Sequence, residues 1–391
     1  MDLPNDSLVN FIFPNNAHVV WSLMIVIYPF ITGLIAGAFI VSALSHVMKI
    51  KDFDPIAKFA LIAAFCFGLF AGLPLLVHLG QPQRAFNIYL TPHTTSAMSV
   101  FGYIYGGYMI LLAVEIWFVY REHFVRKANE TRGLTRTLWS GLCLGVTTYH
   151  PDSGKVDRKI IYILAVIGIP WAFLLHGYVG FIFGSVKAIP WWATALQPII
   201  FLSSAVVSGM SLILIMYVFI KWRYQASYDY AMIKKFSAIL WGIFLVDWGL
   251  EMLELVHVWY RNDFDWTQIQ PLISGPIFMT YVVCQIILFS AIPTIIMAVV
   301  VLTKITGKIM MYLAVLASAL HVLQVLFMRF NVVVGGQLIS KSGRGFVDFH
   351  WDLFGKEGMV TAILILSAPL VTYYVISRVL PIFEEPVREI R

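Results

Sequence analysis

The chain has 391 residues, of which 60% are hydrophobic and only 12% are charged. A mean hydropathy of +0.81 is far too high for a soluble globular protein and predicts a polytopic membrane protein. A net charge of +6 would suggest nucleic acid as the partner of a soluble protein, but in a membrane protein the basic residues first report topology. The composition therefore excludes a soluble enzyme or a soluble nucleic-acid-binding protein.

Nine apolar segments are each long enough to cross a bilayer as a helix, which predicts one integral membrane domain over residues 1–391. In chain order they cover about 19–45, 56–79, 97–120, 160–183, 193–220, 236–259, 276–302, 309–330 and 359–380. If successive connections between the spans lie on alternate sides of the membrane, 20 of the 27 Lys and Arg residues fall on one side. The positive-inside rule makes that side the cytoplasm, so we expect the N-terminus outside and the C-terminus inside.

Small residues predict where helices approach one another closely. Gly33 and Gly37 in the first span, and Ser204 and Ser208 in the fifth, are spaced four residues apart. The surrounding segments FITGLIAGA (30–38) and FLSSAVVSG (201–209) are also alike. This favours two four-helix bundles, helices 1–4 over about 19–183 and helices 5–8 over about 193–330, plus an extra helix over about 359–380. The alternative is chance similarity between apolar helices.

The most informative segment is 245–260, because three carboxylates interrupt an otherwise apolar span. Asp247, Glu251 and Glu254 fall within about 60° of one another on a helix, and His257 follows one turn later. An ionised carboxylate at bilayer depth costs roughly 2.5–3.5 kcal/mol on the most lenient scale, so this face must meet protein or water. We interpret the four residues as a proton relay; the alternative is a set of neutral or paired polar groups that only pack.

Polar residues at the predicted outer ends of the spans suit a quinone. Such a ligand needs apolar walls, a few donors for its carbonyl groups, and His, Tyr or carboxylate side chains for proton transfer. The residues that we expect to contact it are Asn15, His18, Arg84, His93, Thr95, His176 and Tyr178.

Few polar residues occupy the predicted inner half of the membrane. Glu115 lies near the inner boundary and is expected to be an interfacial ion-pair partner. A proton path to the cytoplasm would otherwise have only Gln285, Ser290, Thr294, Ser318 and His321.

The three cysteines, Cys66, Cys143 and Cys284, stand apart without the spacing of a zinc or iron–sulfur motif. We therefore expect any metal cluster to belong to a partner protein.

Several segments together resemble one known family. They are the NxxH of Asn15 to His18, HLGQPQRAFNIYLTPHTTSAMS (78–99), HGYVGFIFGSVKAIPWWATALQPIIFLSSAVVSG (176–209) and RFNVVVGGQ (329–337). Over nearly its whole length the chain is similar to the NrfD/PsrC family, the quinone-interacting membrane subunits of polysulfide reductase and related complexes. It most resembles the long branch, with the membrane subunits of DsrMKJOP, the quinone reductase complex, alternative complex III and hydrogenase.

This resemblance implies a membrane-anchor subunit of a respiratory oxidoreductase in a prokaryotic cytoplasmic membrane. It implies menaquinone or ubiquinone near the outer face, no haem or iron–sulfur cluster in this chain, and proton translocation in some complexes. Electrons would pass to or from a docked ferredoxin-like iron–sulfur subunit, beside further catalytic or cytochrome subunits. We expect outer loops 79–95 and 337–358 to contact that subunit.

The family's Asn and His carry over to Asn15 and His18. Its DLGRP-type loop departs here, with His78 at the acidic position and Gln81 at the basic one. A role for the acidic residue therefore does not transfer, although Arg84 can supply the displaced charge.

Two other classes remain as alternatives. A dihaem cytochrome b would need pairs of His at matching depth, and an outer pair such as His78 and His176 satisfies that condition. A proton-coupled secondary transporter would use the acidic stripe, although no matching pair of broken helices accompanies it.

Overall fold

The structure, a computed structural model, describes residues 18–48, 50–93, 95–343 and 345–382. Asn15 lies outside these described residues. Within them the chain is almost entirely helical, and eight helices are long and apolar enough to cross a membrane. The predicted all-α, polytopic membrane fold is confirmed.

A helix lies at each predicted span, although the helices Ala97–Glu130 and Pro151–Gly184 extend beyond the predicted bounds and the second span is divided into two helices. In the first half they are α1 (Leu23–His46), α2 (Asp54–Ala71), α3 (Leu73–His78), α4 (Asn87–Leu90), α5 (Ala97–Glu130), α6 (Leu134–Leu142) and α7 (Pro151–Gly184). In the second half they are α8 (Gln197–Arg223), α9 (Tyr230–Arg261), α10 (Phe264–Ser274), α11 (Ile292–Leu302), α12 (Gly307–Phe330), α13 (Gly336–Leu338) and α14 (Met359–Val379). The acidic stripe is on α9, a helix of 32 residues that contains the sixth predicted span. By length and composition α9 is not among the eight helices apolar enough to cross a membrane, so the structure supports eight of the nine predicted spans among the described residues.

Helix α1 lies at the centre of the structure. Of its most apolar stretch 94% is buried, compared with 28% for α7 and 22% for α14, which therefore form parts of the periphery. It packs against α2, α7, α8, α12 and α14. The division into two four-helix bundles stays a prediction. Helices α1 and α8, which belong to different predicted bundles, pack directly against each other.

Two π-helical segments interrupt the second half. Phe278–Ala291 runs straight into α11, and Asn331–Gly335 continues α12. The wider π turn displaces side chains from the ordinary helical register and recurs at functional sites. The two segments meet where Asn331 Nδ2 donates to the carbonyl oxygen of Thr280 at 3.1 Å and to Oε1 of Gln285 at 2.8 Å.

Helices α1 and α8 touch through their backbones at Gly37 and Gly209. A Cβ atom on Gly37 would collide with the Ala205 carbonyl oxygen and lie 2.7 Å from Gly209 Cα. Because real Cβ atoms do not approach backbone so closely, only glycine permits this crossing. The two similar segments, 30–38 and 201–209, are therefore the ones that pack together.

We predict that Gly37→Ala lowers the free energy of unfolding by about 1–3 kcal/mol, because the added methyl group must push α1 and α8 apart. Thermal unfolding of the purified protein in detergent measures this. Gly242→Ala is the matched control, since a Cβ on that glycine of α9 meets nothing within 4 Å. Equal melting temperatures for the two variants would contradict the close crossing.

Candidate functional site

The acidic stripe faces protein along the deeper part of α9. Asp247 is fully buried and Glu251 is 8% exposed, whereas Glu254 is half-buried and His257 is exposed. The hydroxyl group of Ser203 on α8 donates to Oδ1 of Asp247 at 2.5 Å. The two buried acids thus avoid lipid, as the cost of a carboxylate in a bilayer requires.

Glu251 is held by two amide side chains from different helical segments. Nε2 of Gln285 is 3.0 Å from Oε2, and Nε2 of Gln324 on α12 is 3.1 Å from Oε1. Asn331 occupies Oε1 of Gln285, so the amide of Gln285 turns its NH₂ group towards Glu251. Hydrogen bonds to a carboxylate are about twice as strong as neutral ones and offset part of its burial cost.

A buried charge, the guanidinium group of Arg329, also lies on α12. Arg329 is fully buried, and its Nη2 donates to Oγ of Ser204 at 2.7 Å and to the carbonyl oxygen of Phe201 at 3.2 Å. The guanidinium carbon also lies 3.8 Å from the centre of the Phe201 ring. Backbone and side-chain dipoles and the aromatic face thus compensate this charge.

The environment of His176 defines its tautomer. Its Nε2 is 3.0 Å from Nη2 of Arg329, and because arginine can only donate, this nitrogen must accept. The proton of a neutral ring is then on Nδ1, which is 3.3 Å from Oγ1 of Thr32. His176 is fully buried, lines neither of the cavities described below and serves to hold Arg329.

Two cavities meet at Pro190, which contributes to both. The smaller holds about 80 Å³, and its lining includes Trp191, Gln197, Glu251, Glu254 and Tyr281. The larger holds about 650 Å³, and its lining includes His18, Trp21, Trp192, Gln337 and Ser340. Since one water needs roughly 10–15 Å³ and ligand pockets have roughly 300–1,000 Å³, the smaller cavity fits a few waters and the larger fits a ligand.

Two stacked indoles line the larger cavity. The Trp192 ring stacks on Trp21 with centroids 5.4 Å apart, and Nε1 of Trp192 donates to the carbonyl oxygen of Val332 at 2.5 Å. Because both tryptophans are fixed in this way, the apolar side of the larger cavity is preorganised.

The other predicted quinone contacts lie in different surroundings. The His18 ring lies 4.2 Å from that of His350 at the larger cavity. Arg84, His93 and Thr95 are exposed on the segment between α3 and α5, where Thr95 Oγ1 is 3.0 Å from His93 Nδ1. Tyr178 packs against Phe181, with ring centroids 5.5 Å apart. The structure therefore brings His18, but not these four, to a cavity of ligand size.

At His78, the position where the NrfD/PsrC loop described above has an acidic residue, a carboxylate from another loop lies close by. His78 Nδ1 is 2.6 Å from Oε2 of Glu357. Burial alone would raise the pKa of Glu357, but hydrogen bonds from Ser22 and His78 and the charge of His78 hold it below its usual range. Because both ring nitrogens of His176 are engaged, Nε2 with Arg329 and Nδ1 with Thr32, His176 has no nitrogen left to ligate a haem iron together with His78.

The polar residues assigned to the inner half do not continue the acidic stripe. Gln285 belongs to the Glu251 site itself. The hydroxyl groups of Ser290 and Thr294 donate to their own helix at 2.7 Å each, and His321 is buried against the Phe244 ring at 4.0 Å. Ser318 is fully buried.

Sequence reasoning missed Gln324 and Tyr281. Gln324 had a usable signal, since it is an uncharged polar residue in an apolar span only three residues after His321. Tyr281 had none, because aromatic residues are common in membrane helices. Among the residues that the structure describes, no group of three or more His, Cys, Asp or Glu could hold a metal ion.

Comparison with known proteins gives one family. Residues 13–341 match the family model described as polysulphide reductase, NrfD. The chain is 40% identical over 205 residues to a selenate reductase subunit of Mesobacillus selenatarsenatis, and the match covers 51% of this chain and 48% of that protein.

Two more distant relatives are membrane subunits by name. One is a putative dimethyl sulfoxide reductase membrane subunit of Halobacterium salinarum, which is 25% identical over 63% of this chain and 54% of that protein. The other is the Hdr-like menaquinol oxidoreductase integral membrane subunit of Archaeoglobus fulgidus, which is 23% identical over 58% of this chain and 49% of that protein. The chain spans about half the length of these three relatives.

We predict that Arg329→Lys lowers the free energy of unfolding by about 1–3 kcal/mol, because an ammonium group cannot serve Ser204, Phe201 and His176 together or stack on the ring. Thermal unfolding in detergent measures the loss. Arg261→Lys is the control, since Arg261 forms an exposed ion pair with Asp263 that is worth less than about 1 kcal/mol. If both variants melt alike, Arg329 does not hold the helices together as described.

Proposed function

The chain belongs to the NrfD polysulphide reductase family, and on that premise we propose that it is the quinone-reactive membrane subunit of a multi-subunit oxidoreductase. It is a multi-pass membrane protein, and its named relatives are subunits of selenate reductase, a putative dimethyl sulfoxide reductase and a menaquinol oxidoreductase. It exchanges electrons between the membrane quinone pool and an iron–sulfur subunit. The cytoplasmic membrane of a prokaryote is its location, with the N-terminus outside as the distribution of basic residues favours.

The observation that carries this proposal is the larger cavity beside His18. Its volume of about 650 Å³ suits a quinone head group, its walls include two stacked indoles, and its polar groups are few. This combination is the usual composition of a small-molecule site. A bound quinone would supply reversible two-electron, two-proton chemistry at its carbonyl oxygens.

The residues of the chain have separable tasks in this proposal. The imidazole of His18 donates a hydrogen bond to a carbonyl oxygen and is steadied by His350. Trp21 and Trp192 exclude water from the apolar side of the ring. Glu254 and Glu251 exchange protons with water in the smaller cavity, and Asp247 extends this relay deeper along α9.

The surface that we propose for partner docking lies beside the larger cavity. The loop 339–358 forms part of one side of the larger cavity. It also binds the segment before α1, because Val19 N donates to the carbonyl oxygen of Asp348 at 2.9 Å. An iron–sulfur subunit seated on this loop and on 79–95 would bring a cluster close to the quinone. We therefore keep the ferredoxin-like subunit as the partner that we propose for this surface.

His18→Ala is expected to reduce quinone-dependent electron transfer in the purified complex by at least about tenfold, because one positioned proton donor typically contributes a factor of about 10²–10⁴. Assembly stays intact, since the side chain is exposed and packs little. Steady-state oxidation of a soluble quinol, with an inhibitor titration, measures the change. His150→Ala, at the start of α7, is the control. Unchanged turnover and inhibitor binding in His18→Ala would remove His18 from the site.

Glu251→Gln and Asp247→Asn are expected to leave quinone binding unchanged but to slow proton-coupled turnover, because both variants keep the shape of the side chain and lose its exchangeable proton. Turnover and proton release in proteoliposomes, compared with quinone binding by inhibitor titration, separate the two effects. Wild-type turnover with a wild-type proton-to-electron ratio in both variants would reduce the stripe to a structural feature.

A further inference from the structure

A third cavity lies at the opposite end of the helices, at the face that we assign to the cytoplasm. It holds about 680 Å³ between the ends of α1, α2, α5 and α7. Nearly every polar group around it is titratable. From α1, α2, α5, the loop before α7, and α7 these groups are His46, Asp54, Lys58, Glu122, Tyr149, Asp157, Arg158, Lys159 and Tyr162.

The charges of this cavity balance one another. Lys58, Arg158 and Lys159 face Asp54, Glu122 and Asp157, so the lining has no excess of positive charge that would select an anion. The cavity therefore shows no preference for an anion, and its polar, titratable lining can hold water.

Its acidic groups are also held in place. Asp157 binds Arg121 at 2.8 Å and accepts from Tyr149 at 2.9 Å. Burial, this hydrogen bond and the charge of Asp157 raise the pKa of Tyr149 to about 12, so the phenol keeps its proton. Asp54 accepts from Ser45 at 2.5 Å.

Glu115 lies one turn deeper on the same face of α5. Phe118, Val119 and Glu122 line the cavity, and positions 115, 118, 119 and 122 share one side of a helix. The Glu115 side chain is fully buried, and neither of its oxygens has a hydrogen-bond partner among the described residues. The expected role of Glu115 as an interfacial ion-pair partner is therefore wrong for the described part of the chain, because the carboxyl is buried and neither oxygen contacts a cation there.

The same face of α5 continues further into the membrane. Tyr108 lies two turns beyond Glu115, is fully buried, and its hydroxyl also has no partner among the described residues. A rise of about 1.5 Å per residue puts the two groups about 10 Å apart along the axis. Burying two such polar side chains without partners costs stability, so packing alone does not explain them.

We propose that Glu115 is a proton-binding site that is loaded from the cytoplasmic water phase through this cavity. A proton passes from hydronium in the cavity to a carboxylate oxygen of Glu115, which neutralises the side chain in its apolar surroundings; release returns it to water. Glu115 then provides an inner proton-uptake point in the first half of the chain, where the acidic stripe of α9 has no members. That second role rests on the proposed function.

Labelling with dicyclohexylcarbodiimide tests the site without any quinone. The reagent is apolar and adds to a protonated carboxyl in apolar surroundings to form a stable N-acylurea. In the intact protein at neutral pH, we expect the adduct at Glu115 and not at Glu122, which is exposed on the same face of α5. Labelling should fall as the pH rises on the cytoplasmic side. No adduct at Glu115, or equal adducts at both residues, would overturn the proposal.

Proton uptake tests the role in turnover. In proteoliposomes that contain the complete complex, Glu115→Gln should lower proton uptake per electron from the cytoplasmic side by at least half. Glu130→Gln, at the exposed end of α5 and outside the cavity lining, should leave it unchanged. Melting temperatures show that both variants fold. Wild-type uptake in Glu115→Gln would overturn this role. If the complex lacks quinone activity while Glu115 is still labelled, the proposed function fails and the proton site stands.

Discussion

Burying a carboxyl group at membrane depth is costly, and in the second half of the chain hydrogen-bond donors from several helices offset that cost. Ser203 meets Asp247, while Gln285 and Gln324 meet Glu251. The two π segments contribute to this directly, because the contact between Asn331 and Gln285 sets the orientation of the amide that faces Glu251. Polar side chains thus connect α8, α9, α12 and the π-helix where apolar packing alone would not specify a register.

The two cavities of the candidate site differ in what they can hold. The Pro190–Trp192 segment contributes Pro190 to both cavities, Trp191 to the smaller and Trp192 to the larger. A cavity of about 80 Å³ beside Glu251 admits water and excludes a ring, whereas about 650 Å³ beside His18 admits the ring. In the proposed function, proton exchange and ligand binding therefore take place in neighbouring spaces rather than in a single one.

Hydropathy and helical period were enough to predict the positions of the long helices and the shared face of Asp247, Glu251 and Glu254, because both depend on local sequence. The hydrogen-bond partners of residues that are far apart in the sequence could not be predicted in this way. His176 bonds to Arg329, which is 153 positions away, and its expected place at a quinone site depended on depth alone. Glu115 resembled an interfacial residue until the surrounding helices were seen to enclose it. Cavity volumes depend on the packing of many side chains, and no spacing rule encodes them.

The central claim is that quinone occupies the larger cavity, and photolabelling tests it most directly. An azidoquinone bound to the complete complex would be illuminated, and the adducts would be located by mass spectrometry with and without excess unlabelled quinone. The account predicts adducts that are lost on competition within 18–21, 186–192 or 336–341. Competed adducts confined to 79–95, or to the lipid-facing side of α14, would contradict it.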